Sequence, residues 1–242
     1  MRVELEPAYV LHARPYRDSS LLLELFTLHH GRIGAVSRGA RGPRSRLKGL
    51  LRPFQPLLIS YLARGELASL NAAEAAGQAS WLSGERAVAG LYLNELLLAL
   101  LARDDPHPLL LGHYRAAVGA LAEATDPQPA LRVFERELLE ALGYAAALVT
   151  EADGVTPVQA DRDYRYLPEA GPLPLQSASG GIVVRGAILL ALAAGEFPDA
   201  ATLAGARRLS RALIDHWLGG RPLRARELAR AFRAVESRGD CV

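Results

Sequence analysis

Arg32, Arg38, Arg41, Arg44, Arg46, Lys48, Arg52 and Arg64 fall between Glu24 and Glu66, and no acidic residue lies among them. The chemistry open to such a set is the binding of phosphates, because a local field of one sign attracts a polyanion. Its densest part runs from Gly39 to Gly49. Gly39, Gly42 and Gly49 give that stretch conformational freedom and Pro43 limits it. The 242-residue chain carries 28 Lys and Arg against 26 Asp and Glu, a formal net charge of +2. The argument therefore rests on where charge sits, not on how much there is. Lys48 is the only lysine. Arginine supplies a planar fork for phosphate and a face for stacking on bases. Aromatic residues near the stretch are few: Phe26, Phe54 and Tyr61, with Tyr16 a further candidate. A solvated loop that keeps the protein soluble is the plainer alternative.

A second basic group, Arg207, Arg208, Arg211, Arg221, Arg224, Arg226, Arg230 and Arg233, is opposed only by Asp215 and Glu227. It reads either as an exposed helix face or as an extension of the anion track. Arg132, beside Leu131 and Phe134, is a candidate clamp for a C-terminal carboxylate or an acidic-hydrophobic peptide. A surface arginine covering its own helix is the alternative. The histidines form no metal spacing, and no GxSxG, P-loop or GxGxxG pattern is present. No cofactor, metal or catalytic site is expected. The single cysteine, Cys241, is expected to be a tail thiol without a role. The apolar run from Leu96 to Ala102 is too short to span a bilayer. No signal peptide is readable, so a cytoplasmic location is expected.

The elements that must position these residues follow from periodicity. Short strands are predicted at Tyr9–Arg14, Ser20–Thr27, Arg32–Arg38, Pro56–Leu62 and Glu66–Asn71. In the third, Ile33 and Ala35 face inward, with Val36 a third candidate. Five strands at this spacing fit a small barrel of the oligonucleotide-binding (OB) type, and the spacing alone also allows an SH3-like barrel. From about Ser83 the period becomes helical, with an amphipathic first helix through Val88, Leu91, Leu93, Leu96, Leu97, Leu100 and Leu101. A second helix covers Leu109–Ala124. A third opens at Asp126-Pro127, with Asp126 the cap, and stops at Gly143. Residues 145–185 are rich in turn material, with strand candidates at Tyr164–Leu167 and Gly181–Val184. Helices return at Ile188–Ala194, Asp199–Leu218 and Ala225–Ala234. The expected fold is multidomain α+β. A five-stranded OB-fold barrel over 1–80 precedes a mostly α-helical region over 81–242, with an irregular or β insert at 145–185.

Several segments resemble the bacterial RecO family of recombination mediators, in order and over nearly the whole chain. They include Tyr9-Val10-Leu11-His12-Ala13-Arg14-Pro15-Tyr16, Arg38-Gly39-Ala40-Arg41, Ser45-Arg46-Leu47-Lys48-Gly49 and Leu51-Arg52-Pro53-Phe54. Leu91-Tyr92-Leu93-Asn94-Glu95-Leu96, Pro129-Ala130-Leu131-Arg132-Val133-Phe134-Glu135 and Leu218 through Leu228 continue the series. The resemblance implies binding of single- and double-stranded DNA and annealing of complementary strands. It implies partnership with RecR and with the C-terminal tail of the single-strand-binding protein, and so, indirectly, the loading of RecA. It also implies that Arg132, with Leu131 and Phe134, helps hold that tail. Many members carry a four-cysteine zinc module in the region matching 145–185. This chain has no cysteine there, so a zinc-free branch is expected.

The candidate DNA-contacting residues are therefore Arg14, Arg32, Arg38, Arg41, Arg44, Arg46, Lys48, Arg52, Arg207, Arg208, Arg224 and Arg226. The main reading is a non-enzymatic mediator of DNA repair. Its rival is an RNA- or ribosome-associated OB-fold protein, since charge on a barrel does not separate DNA from RNA.

Overall fold

The structure is a computed structural model that describes residues 1–144, 147–177 and 179–239. Cys241 lies outside the described residues. Five strands, β1 (Arg2–Tyr16), β2 (Ser20–Thr27), β3 (Gly31–Ser37), β4 (Leu57–Leu62) and β5 (Ala68–Ala75), close a barrel in the order β1-β2-β3-β5-β4. All pairings are antiparallel except β3 with β5. This is the OB arrangement. Helices α1 (Gly84–Leu100), α2 (Pro108–Glu123), α3 (Gln128–Ala141), α4 (Gly186–Ala194), α5 (Ala200–Leu218) and α6 (Arg224–Gly239) follow. A small sheet of β6 (Asp163–Leu167), β7 (Gly171–Pro174) and β8 (Ile182–Arg185) is interposed, with β6 central. The chain forms two compact units, Met1–Glu123 with Leu223 onward, and Ala124–Pro222.

In the first unit β1 is much longer than the predicted Tyr9–Arg14, because it serves two neighbours. Ala8 to Tyr16 pairs with β2 and Arg2 to Ala8 with β4, with breaks in register at Val10/His12 and Val3/Glu6. Bulges of this kind bend a strand sharply enough to close a small barrel. At the second break Leu5 has φ 52° and donates its N–H to Ser60 Oγ at 3.2 Å. The far half of β5, Ala72 to Ala75, is made of residues that favour helix. It is held as strand by pairing with Leu57 to Ser60, so tertiary context overrides propensity. Ile33 and Ala35 join the barrel core with Val10, Leu23, Leu25 and Ile59, whereas Val36 stays outside it.

Three further contacts complete this unit. Asn94, buried on α1, donates through Nδ2 to Leu11 O of β1 at 3.0 Å and accepts the Tyr114 hydroxyl of α2 at 2.7 Å. Burial drives the Tyr114 phenol far above its ordinary pKa, so it remains a neutral donor. Gly31 lies on the α1–α2 connection, where an added Cβ would sit 2.0 Å from Asp105 O. Glu95 of α1 accepts the N–H groups of Arg224 and Ala225 at 2.9 and 2.8 Å, which caps the first turn of α6. Leu91, expected on the inner face of α1, is 39% exposed.

In the second unit Asp126 caps α3 by accepting Gln128 N–H at 2.9 Å. The helix ends at Gly143 (φ 75°), with Gly143 N–H on Glu140 O and Tyr144 N–H on Leu139 O, a Schellman arrangement. Asp199 caps α5 through Thr202 N–H at 2.7 Å. Those bonds hold the Asp199 carboxyl below its ordinary pKa. The described residues of 147–185 are organised around buried Tyr164 and Tyr166 of β6 and an Asx turn at Asp153, whose Oδ1 accepts Val155 and Thr156 N–H. The edge strand β7 escapes sequence reading because Pro172 and Pro174 argue against a strand. Pro172 O accepts Ala152 N–H at 2.8 Å on the side away from β6. The absent proline N–H groups fall on that same side, so the ladder to β6 is intact.

Candidate nucleic-acid interface

The connection from Arg38 to Pro56 joins β3 to β4 and holds the dense run of basic residues. It is a chain of turns rather than a free loop. Gly42 N–H bonds Gly39 O, Ser45 N–H bonds Gly42 O, Lys48 N–H bonds Ser45 O and Leu51 N–H bonds Leu47 O, all between 3.0 and 3.3 Å. Ala40 and Leu51 are buried in the barrel core, and Leu47 and Leu50 pack against it. Gly39 and Gly49 adopt φ of 68° and 82°, so these two glycines serve fixed left-handed turns. Ala40, Leu47, Leu50 and Leu51 of the segment face the barrel, and Arg38, Arg41, Arg44, Arg46 and Lys48 point into solvent.

The segment is tied to the β1–β2 turn. Arg41 N–H donates to Ser19 O at 2.8 Å, and its Nη1 reaches Arg17 O at 3.4 Å and Asp18 O at 3.5 Å. This brings in an exposed cation that charge clustering along the chain does not reveal, Arg17, whose guanidinium lies 5.3 Å over the Tyr16 ring. Arg14 is exposed on the same strand, β1. The signal available in the sequence was the turn between two predicted strands.

Other expected contacts lie elsewhere. Arg32 is half-buried on β3 and sits 3.5 Å from Glu24 of β2, which also holds Arg103. Burial lowers the Arg32 pKa, Glu24 opposes that effect and Arg103 adds to it. Its charge is spent within the fold. Arg52 is half-buried, its guanidinium 3.7 Å from the centroid of Trp81. Arg207 and Arg208 are exposed on α5 in the second unit, whereas Arg224 and Arg226 belong to α6 in the first. The C-terminal arginines are thus divided between two units. Arg226 lies 5.7 Å over Tyr92.

Most of the expected stacking aromatics are also taken. Phe26 and Tyr61 are in the interior, and burial, with Glu6 and Asp104, pushes the Tyr61 phenol up to about 12. Phe54 packs on α1 at Gly90, where an added Cβ would meet its ring at 2.7 Å. The exposed ring in this neighbourhood is Trp81, which sequence reading passed over.

Arg132, Leu131 and Phe134 on α3 are 4%, 6% and 1% exposed. Arg132 is neither a surface arginine nor an open clamp. It forms a buried ion pair with Glu135 at 2.7 Å, one turn along the same helix. The next arginine on α3, Arg136, donates to the terminal carbonyls of α4 at Leu192 and Ala193. Beside it is a cavity of about 420 Å³, lined by Leu139, Leu148, Val149, Leu192 and Leu213. Among the described residues, no group of three or more His, Cys, Asp and Glu side chains is placed to hold a metal ion. No described helix is long and apolar enough to cross a membrane.

A family model described as Recombination protein O N terminal matches residues 1–79, and one described as Recombination protein O C terminal matches residues 82–227. The chain belongs to the recombination protein O family. DNA repair protein RecO of Methylococcus capsulatus is 48% identical over 230 residues, covering 95% of this chain and 94% of that one. DNA repair protein RecO of Nitrosococcus oceani is 46% identical over 236 residues, covering 97% and 96%. That of Alkalilimnicola ehrlichii is 49% identical over 241 residues, covering 97% and 95%. The resemblance read from the ordered segments is borne out. The two recombination protein O models meet between the barrel and α1, while the compact units keep α1, α2 and α6 with the barrel.

Proposed function

We propose that the protein is a non-enzymatic mediator of DNA repair and recombination. It binds single- and double-stranded DNA through the exposed cations at the end of the barrel and anneals complementary strands. With RecR it helps load RecA onto DNA coated by the single-strand-binding protein. The observation that carries this reading is the segregation within one segment, Ala40, Leu47, Leu50 and Leu51 toward the barrel and Arg38, Arg41, Arg44, Arg46 and Lys48 outward. Its setting is a family whose relatives named above are DNA repair proteins.

Phosphate binding needs charge held at fixed spacing, and annealing needs two backbones whose repulsion is reduced. The pinned segment meets the first need, and Arg14 and Arg17 on the adjoining strand and turn widen the patch. If four to six phosphates are engaged, log affinity for a single strand falls against log salt with a slope of roughly −3 to −4. A titration across salt concentrations checks this, and a flat response sinks the reading. An equal-length RNA competitor that displaces the DNA at matched concentration favours the RNA-associated alternative.

The second unit takes the partner in this reading. The acidic-hydrophobic tail of the single-strand-binding protein lies in the cavity beside α3, while Arg132, Leu131 and Phe134 hold that helix from within. Val149 lines the cavity and is 54% exposed. Val149→Glu sets a like charge against the tail. It should weaken binding of a labelled tail peptide and leave the salt slope on bare DNA unchanged. Full peptide affinity in this variant removes the cavity from the proposal.

A further inference from the structure

Trp81 is 73% exposed, although tryptophan carries the largest apolar surface of any side chain. Its neighbours explain how it is held there. Ser80 N–H donates to Phe54 O at 3.2 Å, which fastens residues 80–82 to the end of the basic segment. Leu82 and the Phe54 ring pack together on Gly90 of α1, each within 2.7 Å of where a Cβ would stand. Residue 82 is directed to the helix and residue 81 outward. Phe54 adopts φ 65°, a strained conformation for an aromatic residue, in making this junction.

One face of the indole is already occupied. The Arg52 guanidinium lies 3.7 Å from the ring centroid, and Arg52 Nε is buried without a hydrogen-bond partner among the described residues. The planar cation is committed to the ring rather than to a carboxylate. With Arg52 on one face and most of the side chain in solvent, the opposite face is open. A cation on the far side makes that face less electron-rich, which suits a neutral aromatic plane and disfavours a second cation. Arg52 also continues the acid-free basic run, four residues after Lys48. The surroundings therefore favour a ligand that is both aromatic and anionic.

We propose that Trp81, braced by Arg52, is a base-stacking platform for single-stranded DNA, continuing the backbone track laid by the basic segment. This rests on the DNA-binding reading above and adds a preference. An unpaired base reaches the ring, whereas a base in a duplex is stacked on its neighbours and does not. Arg52, a candidate phosphate contact by sequence, acts instead as the positioning residue for the indole.

The test uses the full-length chain, which has two tryptophans, Trp81 and Trp217. Trp217→Phe keeps an aromatic ring on its stacking partner Tyr144 and leaves Trp81 the sole indole reporter. End-labelled oligothymidylate, an abasic strand of equal length and a duplex are titrated while anisotropy and indole emission are followed together. The expected result is a rise in anisotropy with all three, and quenching of Trp81 by oligothymidylate alone. Trp81→Ala should weaken oligothymidylate about tenfold and spare the abasic strand, and Trp81→Phe should recover most of the loss. Binding without quenching, or equal affinity in Trp81→Ala with an unchanged thermal melt, overturns the platform while leaving DNA binding intact. The second result would reassign the ring to a protein partner. No anisotropy change with any strand overturns the DNA-binding reading and the platform with it.

Discussion

Arg44 and Arg132 are the same residue type beside leucine-rich sequence, and their fates are opposite. Arg44, with Arg41 and Arg46, stands in solvent on a segment whose apolar residues are anchored in the barrel. Arg132 is 4% exposed and its guanidinium is engaged by Glu135. The difference lies in the carboxylates. The stretch around Arg44 has none to neutralise its charge, while α3 offers Glu135 at three residues' distance on the buried face. A cation with a local acid is drawn into structure, and one without remains available to a ligand.

The comparison breaks most readily at Arg132. Removing Arg132 takes the counter-charge from the buried Glu135 carboxylate, so Arg132→Ala should cost about 3–5 kcal/mol in urea unfolding. Replacing both members together, Arg132→Met with Glu135→Leu, should recover most of that loss. A single variant as stable as the parent would mean that the pair is not buried in solution.

The next effect lies under the basic segment. Leu51 is 6% exposed in the barrel core, and Leu51→Ala should cost about 2–4 kcal/mol by the cavity it leaves. It should also weaken DNA binding although no charge is removed. Normal DNA affinity would show that the cations need no anchoring.

The charges themselves should matter to ligand and not to fold. Replacing Arg41, Arg44 and Arg46 by glutamate should change unfolding free energy by no more than about 0.5 kcal/mol per site. The same change should reduce the salt slope for single strands by about 2, three contacts at roughly 0.7 each. Loss of affinity for one sequence alone would point to base reading.

The smallest expected effect is at Asp199. Its folded pKa is depressed by the bonds to Thr202, so its stabilisation is full above the unfolded carboxylate value of about 3.9 and is lost as pH falls through the folded value. The melting difference between the parent and Asp199→Ala should therefore narrow on acidification below pH 4. A difference independent of pH would show that charge has no part in the cap.

What the sequence made legible follows the same division. Strands with clean alternation, such as Leu57–Leu62, were read to within a residue, because one face is buried and the other wet. The long β1 was not, since bulges shift its inward face at two places. The prolines of β7 are tolerated only by an edge that the sequence does not reveal. Among the site residues, the pairing of Arg32 with Glu24 is not legible, because Glu24 approaches it through strand register rather than along the chain. The Arg132–Glu135 spacing, by contrast, is visible in the sequence, but ion pairs at that interval are ordinary helix chemistry and do not announce burial. Trp81 is not legible as a site, because a lone tryptophan between turn residues has no periodicity to place it.

Glu95 holds the first turn of α6, and through it the two ends of the chain belong to one unit, with Ala124–Pro222 inserted between them. During synthesis the inserted part can reach its native contacts while the first-made part still waits for its final helix. Until α6 arrives, the face of α1 bearing Tyr92 and Glu95 is uncovered on the ribosome. The barrel end of the molecule is thus begun first and finished last, and a nascent chain halted after Pro222 would carry a complete insert on an incomplete host.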